Sequence, residues 1–204
     1  MPRLPRFFFA RPTLMVAREL LGQRLVKVER GKRLAGIITE VEAYIGEEDL
    51  ACHAKAGRTQ RTEVMYAPAG HLYVYFTYGM HWMLNIVTER EGFPAAVLLR
   101  GMIGTESIET MRRRRGRSDH LTDGPAKIAQ ALGIGKRWNG TDLCAPDSDV
   151  FIERAKPVPA SLVVTAPRVG LGNTPEPWLG KPWNFSVKRT GAADLLRSSA
   201  LAAL

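Results

Sequence analysis

Leu72-Tyr73-Val74-Tyr75-Phe76-Thr77-Tyr78-Gly79-Met80 is the stretch on which the reading of this chain turns. Leu72 to Thr77 alternates as a strand does, so Tyr73, Tyr75 and Thr77 share one face. The alternation ends at a large ring followed directly by glycine, Tyr78-Gly79, where strands commonly stop at small polar residues. Trp82 to Thr88 reads as the returning strand of a hairpin. One reading buries the tip in the core. The other leaves Tyr78 and Met80 as an apolar wedge of the kind that separates stacked bases.

Working outward, the elements are short and mixed. Pro12-Thr13 opens a helix that Gly22 ends. Gln23 to Val28 and Leu34 to Tyr44 read as strands around a basic turn at Glu29 to Arg33. Ile45 to Ala69 is a long, polar, glycine-bearing excursion, and ordered loops of that length are usually functional. Ala95 to Leu99 is an unbroken apolar run and hence a central strand. Ile103 to Arg115 is expected to be helical, with Glu106 and Glu109 on it. Asp123-Gly124-Pro125 is a helix entry, with Gly133 at its exit. Val150 to Glu153, Leu162 to Val164 and Phe185 to Arg189 complete the strands. The expected fold is α+β: a single mixed domain over residues 1–204, built on a curved, mostly antiparallel sheet with flanking helices. Residues 1–6 and 191–204 are left as tails.

Bulk composition sets limits. The chain has 204 residues, with 45% apolar and 24% charged side chains, ordinary for a soluble globular protein. Lys and Arg total 29 against 20 Asp and Glu, a net charge of +9, which favours a polyanionic partner such as nucleic acid. Cys52 and Cys144 form no CxxC pair, so neither a disulfide framework nor a structural zinc site is expected. The run Phe7 to Ala10 is too short for a secretory signal, and no segment has the length of a membrane span. A cytoplasmic protein, working at the nucleoid as a monomer and without membrane contact, is expected.

Three groups carry chemistry. In Ile38-Thr39-Glu40-Val41-Glu42-Ala43-Tyr44, period-2 geometry places Glu40, Glu42 and Tyr44 on one face, with neighbours roughly 6.6–7 Å apart. Such crowded carboxylates form either a solvated outer face or a site that activates water or supports developing positive charge. Arg100, at the end of the central strand, meets an anion or solvent, with Glu40 or Glu42 as a candidate partner. Asn85 is an amide within an apolar strand, and His53 lies in the long excursion. No HExxH, Walker, GxSxG or nucleophilic-cysteine pattern is present. No metal and no cofactor are expected.

With these residues in place, the chain resembles the alkyladenine (3-methyladenine) DNA glycosylases. The matching text is Thr39-Glu40-Val41-Glu42-Ala43-Tyr44 with Gly46, Glu48-Asp49 and His53. It continues through Leu72-Tyr73-Val74-Tyr75, Tyr78-Gly79-Met80, Asn85, Val97-Leu98-Leu99-Arg100, Thr110-Met111-Arg112, Gly124-Pro125 with Lys127, and Arg168-Val169-Gly170. Order and spacing fit from about Phe7 to Val187, and the start close to the first motif is similar to bacterial members.

The resemblance implies hydrolysis of the N-glycosidic bond of a damaged purine extruded from duplex DNA, with that duplex as the partner. It implies Glu42 as the base that activates water and Arg100 as the residue that helps hold it. Tyr44, His53 and Tyr75 would enclose the extruded base, and Asn85 would exclude guanine through its 2-amino group. Tyr78, with Met80, would fill the vacated place in the stack. Arg112, Arg113, Arg114, Arg115 and Lys127 are candidates for the DNA backbone, against the plainer reading of a solvated helix face. His81 stands beside the wedge where some relatives carry a phenol. Three alternatives are weighed beside this reading. They are a non-catalytic nucleic-acid-binding module, a lyase using the amine of Lys127, and a sugar hydrolase using Glu40 and Glu42.

Overall fold

The structure, a computed structural model, describes residues 1–188 together with 190 and 191. The expected tail therefore lies, from residue 192 onward, outside the described residues, as does Arg189 of the last expected strand. Eight strands form one curved, wholly antiparallel sheet. They are β1 (Arg24–Glu29), β2 (Lys32–Ile45), β3 (Leu72–Thr77), β4 (His81–Val87), β5 (Ala95–Glu106), β6 (Val150–Glu153), β7 (Val163–Ala166) and β8 (Asn184–Val187). The main path runs β3-β4-β5-β2-β1-β6, and β8 pairs with both β2 and β7. The helices are α1 (Arg6–Phe9), α2 (Thr13–Leu20), α3 (Ile108–Arg115) and α4 (Pro125–Leu132).

Period-2 alternation on four adjacent strands sorts the residues onto two faces. Leu72 and Val74, Leu84 and Ile86, Val97 and Leu99, and Val41 and Ala43 are buried in the main core. Val16 and Leu20 of α2, Met111 of α3, and Ile128 and Leu132 of α4 join that core. The opposite face carries the intervening residues Tyr73 and Tyr75, Met83 and Asn85, Leu98 and Arg100, and Glu42 and Tyr44.

β2 is the hub of this arrangement. Along one edge it pairs with β5 from Ala35 to Ile45. Along the other it pairs first with β1, through Ile37, and then with β8 at Glu40 to Glu42. The pairing with β5 is irregular around Glu40. There Gly101 is needed, because a Cβ at that position would lie 2.9 Å from the Glu40 Cβ. Bulges of this kind bend a strand and re-aim its side chains.

Two expectations are corrected. Residues 103–106 are strand: Ile103 pairs with Ile37 and Gly104 with Gly36, so β5 runs to Glu106 and α3 starts at Ile108. Glu106 then serves the sheet rather than a helix, bridging Arg24 and Arg33. At the other end, Leu4 is buried and Arg3 bridges Glu153, so the first residues pack against β6. Among the described residues no helix is long and apolar enough to cross a membrane.

Candidate active site

The polar face of β3, β4, β5 and β2 floors a cavity of about 410 Å³, within the range of small-ligand sites. Its walls come from the long excursion, through Leu50 to His53 and Met65, and from Val169 to Leu171 with Thr174. The excursion is irregular but ordered by burial: Cys52, Ala54 and Met65 form a small core with Tyr73.

Tyr44, His53, Tyr75, Tyr78, Asn85 and Arg100 all line this cavity. Glu42 lies one layer deeper, 0% exposed, behind Tyr44, Arg100 and Val169. Its Oε1 accepts the Val169 N–H at 2.7 Å and the Asn184 side-chain amide at 3.2 Å. Arg100 Nε lies 3.3 Å from the same oxygen. Oε2 accepts the Tyr44 hydroxyl at 2.9 Å. A buried carboxylate is tolerable only when paired and hydrogen-bonded, and this one has both. Glu40 sits closer to solvent and takes the Arg100 Nε at 3.0 Å and the Asn184 amide at 2.9 Å. One guanidinium and one amide thus bridge the two carboxylates.

Three aromatic groups line the side of the cavity. The Tyr73 and Tyr75 rings lie 5.4 Å apart, and His53 meets Tyr75 edge-on at 4.4 Å. The His53 Nδ1 is 2.9 Å from the Tyr73 hydroxyl. Burial, helped by Arg61 and Lys55, lowers the His53 pKa to about 4, so the imidazole is neutral at pH 7. Burial raises the Tyr75 phenol to about 12. Tyr44 is pushed up further by burial and then by the Glu42 carboxylate, so it remains a donor. The Asn85 side-chain amide donates to the Tyr73 carbonyl at 3.1 Å.

β3 and β4 form a hairpin whose turn carries Tyr78 at the cavity rim. Met80 N–H closes the turn on the Thr77 carbonyl at 3.2 Å. Tyr78 adopts φ +50°, with Gly79 beside it at +65°. An aromatic residue in the left-handed region is strained by about 1–3 kcal/mol, a pattern that clusters at functional sites. Tyr78 is 78% exposed and Met80 67%, so the tip does not fold into the core.

The basic residues divide. Arg112 and Arg113 are exposed on α3, with Arg112 paired to Glu109. Arg114 pairs with Glu29 and bonds the Ala131 carbonyl, and Arg115 bonds Gln130. Lys127 pairs with Asp123 at 2.9 Å; its neighbour Pro125, rather than Lys127 itself, lines the cavity. Among the described residues no group of three or more His, Cys, Asp or Glu side chains could hold a metal ion.

Reasoning from sequence missed the Val169 N–H, which has no side-chain signature, and Asn184, which stands at the start of a short strand. It placed Asp49 and Arg168 in matching motifs but did not foresee that they pair. Their charges pair at 2.5 Å, fully buried, across 119 positions of sequence.

Comparison with known proteins places the chain in a family. Residues 7–191 match the family described as Methylpurine-DNA glycosylase (MPG). A protein of Chlorobaculum parvum is 47% identical over 182 residues, covering 87% of this chain and 86% of its own. One from Methanocella arvoryzae is 43% identical, covering 93% and 94%. One from Myxococcus xanthus is 45% identical, covering 91% and 90%. All three bear the name "Putative 3-methyladenine DNA glycosylase". The family match takes in every residue of the cavity and reaches from α1 past β8, and the chain therefore belongs to the methylpurine-DNA glycosylase family.

Proposed function

We propose that this protein is a monofunctional DNA glycosylase that extrudes a damaged purine, alkylated or deaminated, from duplex DNA and hydrolyses its N-glycosidic bond. The observation that carries the reading is the placement of Glu42 and Arg100 behind and in the wall of an aromatic cavity, with the strained, exposed Tyr78 at its rim. A base must leave the stack before its glycosidic bond can be reached. Tyr78, with Met80, enters the gap so left.

In the cavity the purine stacks among Tyr44, His53 and Tyr75, and the Asn85 amide sets which exocyclic groups fit. Arg100 and Glu42 hold a water against the sugar. Glu42 Oε2, with one donor among the described contacts, has acceptor capacity to spare. As the C1′–N bond lengthens, its electrons leave with the purine and the sugar takes on oxocarbenium character, which the carboxylate stabilises. The water oxygen bonds to C1′ and its proton passes to Glu42. No covalent enzyme intermediate arises, and the Lys127 amine stays engaged with Asp123. Arg112 and Arg113 offer exposed charge for the phosphate backbone.

The test is incubation with duplexes containing hypoxanthine, ethenoadenine or 3-methyladenine, followed by detection of abasic sites. Excision of at least one is expected. Folded protein that binds these duplexes without excising any would instead be the non-catalytic binding module. Borohydride trapping should give no covalent complex.

A further inference from the structure

Glu42 is held by four groups, and three of them lead back to one side chain that does not line the cavity. Val169, whose N–H meets Oε1, directly follows Arg168. The Arg168 guanidinium lies 4.7 Å from the ring centre of Tyr44, whose hydroxyl meets Oε2. It also lies 5.0 Å from the ring of Trp183, the residue before Asn184. Asn184 supplies the amide to Oε1.

Arg168 is held in turn through both terminal nitrogens, while its buried Nε has no hydrogen-bond partner among the described residues. It contacts Asp49 Oδ2 at 2.5 Å and Oδ1 at 2.9 Å, the Ala43 carbonyl at 3.0 Å and the Trp178 carbonyl at 3.2 Å. Neither its side chain nor that of Asp49 reaches solvent. Asp49 also accepts the N–H groups of Ile45 and Ala51, which ties down the loop that brings His53 to the cavity. A planar guanidinium can bond in its plane while two aromatic rings lie near it; an ammonium cannot reproduce that geometry.

Resting on the glycosylase reading above, we propose that the Asp49–Arg168 pair is the device that sets the Glu42 carboxylate. Arg168 is thus a positioning residue, acting through Val169, Tyr44 and the Trp183–Asn184 step without touching substrate. Its contribution lies in the angle and place of the carboxylate relative to the water. A misplacement of about 1 Å at a reacting group can cost ~10²-fold in rate.

The full chain is compared as wild type, Arg168→Lys and Asp49→Asn, each well below its own thermal transition. Single-turnover excision from a hypoxanthine duplex gives the maximal rate and the half-saturation point. Binding of a duplex with a tetrahydrofuran abasic analogue gives affinity. The expected result is a maximal rate about 30- to 100-fold lower, with half-saturation and affinity unchanged within about threefold. In a Glu42→Gln background the same substitutions should cost nothing further, since coupled residues fail to add.

A maximal rate like that of the wild type, or an equal drop in the Glu42→Gln background, overturns the positioning role while leaving the glycosylase reading intact. If Arg168→Lys does not fold, the isosteric Asp49→Asn carries the same comparison. Loss of a cooperative transition in both marks the pair as a fold-holding contact and overturns the proposal. A wild-type protein that excises no lesion removes the glycosylase reading itself.

Discussion

Tyr44 and Glu42 stand two residues apart on one face of β2, and the phenol donates to the carboxylate at 2.9 Å. Because burial and the carboxylate both hold the phenol in its protonated form, this contact persists across the neutral range. Tyr44→Phe keeps the ring beside the cavity and leaves a buried charge one donor short. Hydrogen bonds to charged groups contribute about 1.5–3 kcal/mol. Single-turnover excision should slow by about 10- to 100-fold, with abasic-site affinity little changed. An unaltered rate would mean that the hydroxyl does not tune Glu42.

Glu42→Gln preserves shape while removing the base. General-base groups contribute about 10²- to 10⁴-fold, and a loss in that range is expected in single-turnover kinetics. Affinity for lesion-containing duplex should hold, which a gel-shift or anisotropy titration would check. Retained turnover would remove Glu42 from the reaction.

Tyr78→Gly separates folding from function. Glycine relieves the left-handed strain of about 1–3 kcal/mol but adds freedom to the unfolded chain worth about 0.5–1 kcal/mol. Stability in denaturant titrations should be equal to wild type or higher by up to about 2.5 kcal/mol. Affinity for lesion duplex should fall by about 10-fold or more, since an aromatic stacked on a base contributes about 1–3 kcal/mol. A large loss of stability would show that the ring supports the fold instead.

His53 gives the pH prediction. Its pKa is about 4 in the folded protein against 6.5 for the free side chain. Between those values the unfolded chain binds a proton that the folded chain refuses, so stability is full above about pH 6.5 and is lost as pH falls towards 4. Denaturation midpoints measured from pH 4.5 to 7 should slope less steeply for His53→Gln than for wild type. Identical slopes would mean that His53 is not held neutral by its surroundings.

The fold was legible where neighbouring residues carry the pattern. Alternation in Tyr73-Val74-Tyr75 and in Glu40-Val41-Glu42 survives into the structure because each strand is half core and half cavity wall. The extension of β5 to Glu106 was not legible. Gly101 and Gly104 weaken the strand signal, and the arginine run draws the reading towards a helix. The pairing that decides it, Ile103 with Ile37, lies far away in sequence. The same distance hid the support of Glu42, which comes from a backbone N–H at Val169 and an amide at Asn184. A contact made by a main-chain group leaves no mark on the residue type that makes it.

β2 exchanges its outer neighbour part-way along, from β1 to β8, and this bears on how the molecule is made. A nascent chain paused on the ribosome after residue 183 would already hold β1 to β6 with their partners, whereas β7 pairs only with β8. It would still lack the ribbon that flanks Glu40 to Glu42 and the Asn184 amide that joins the two acids. The two acids share the Asn184 amide only once β8 has joined β2.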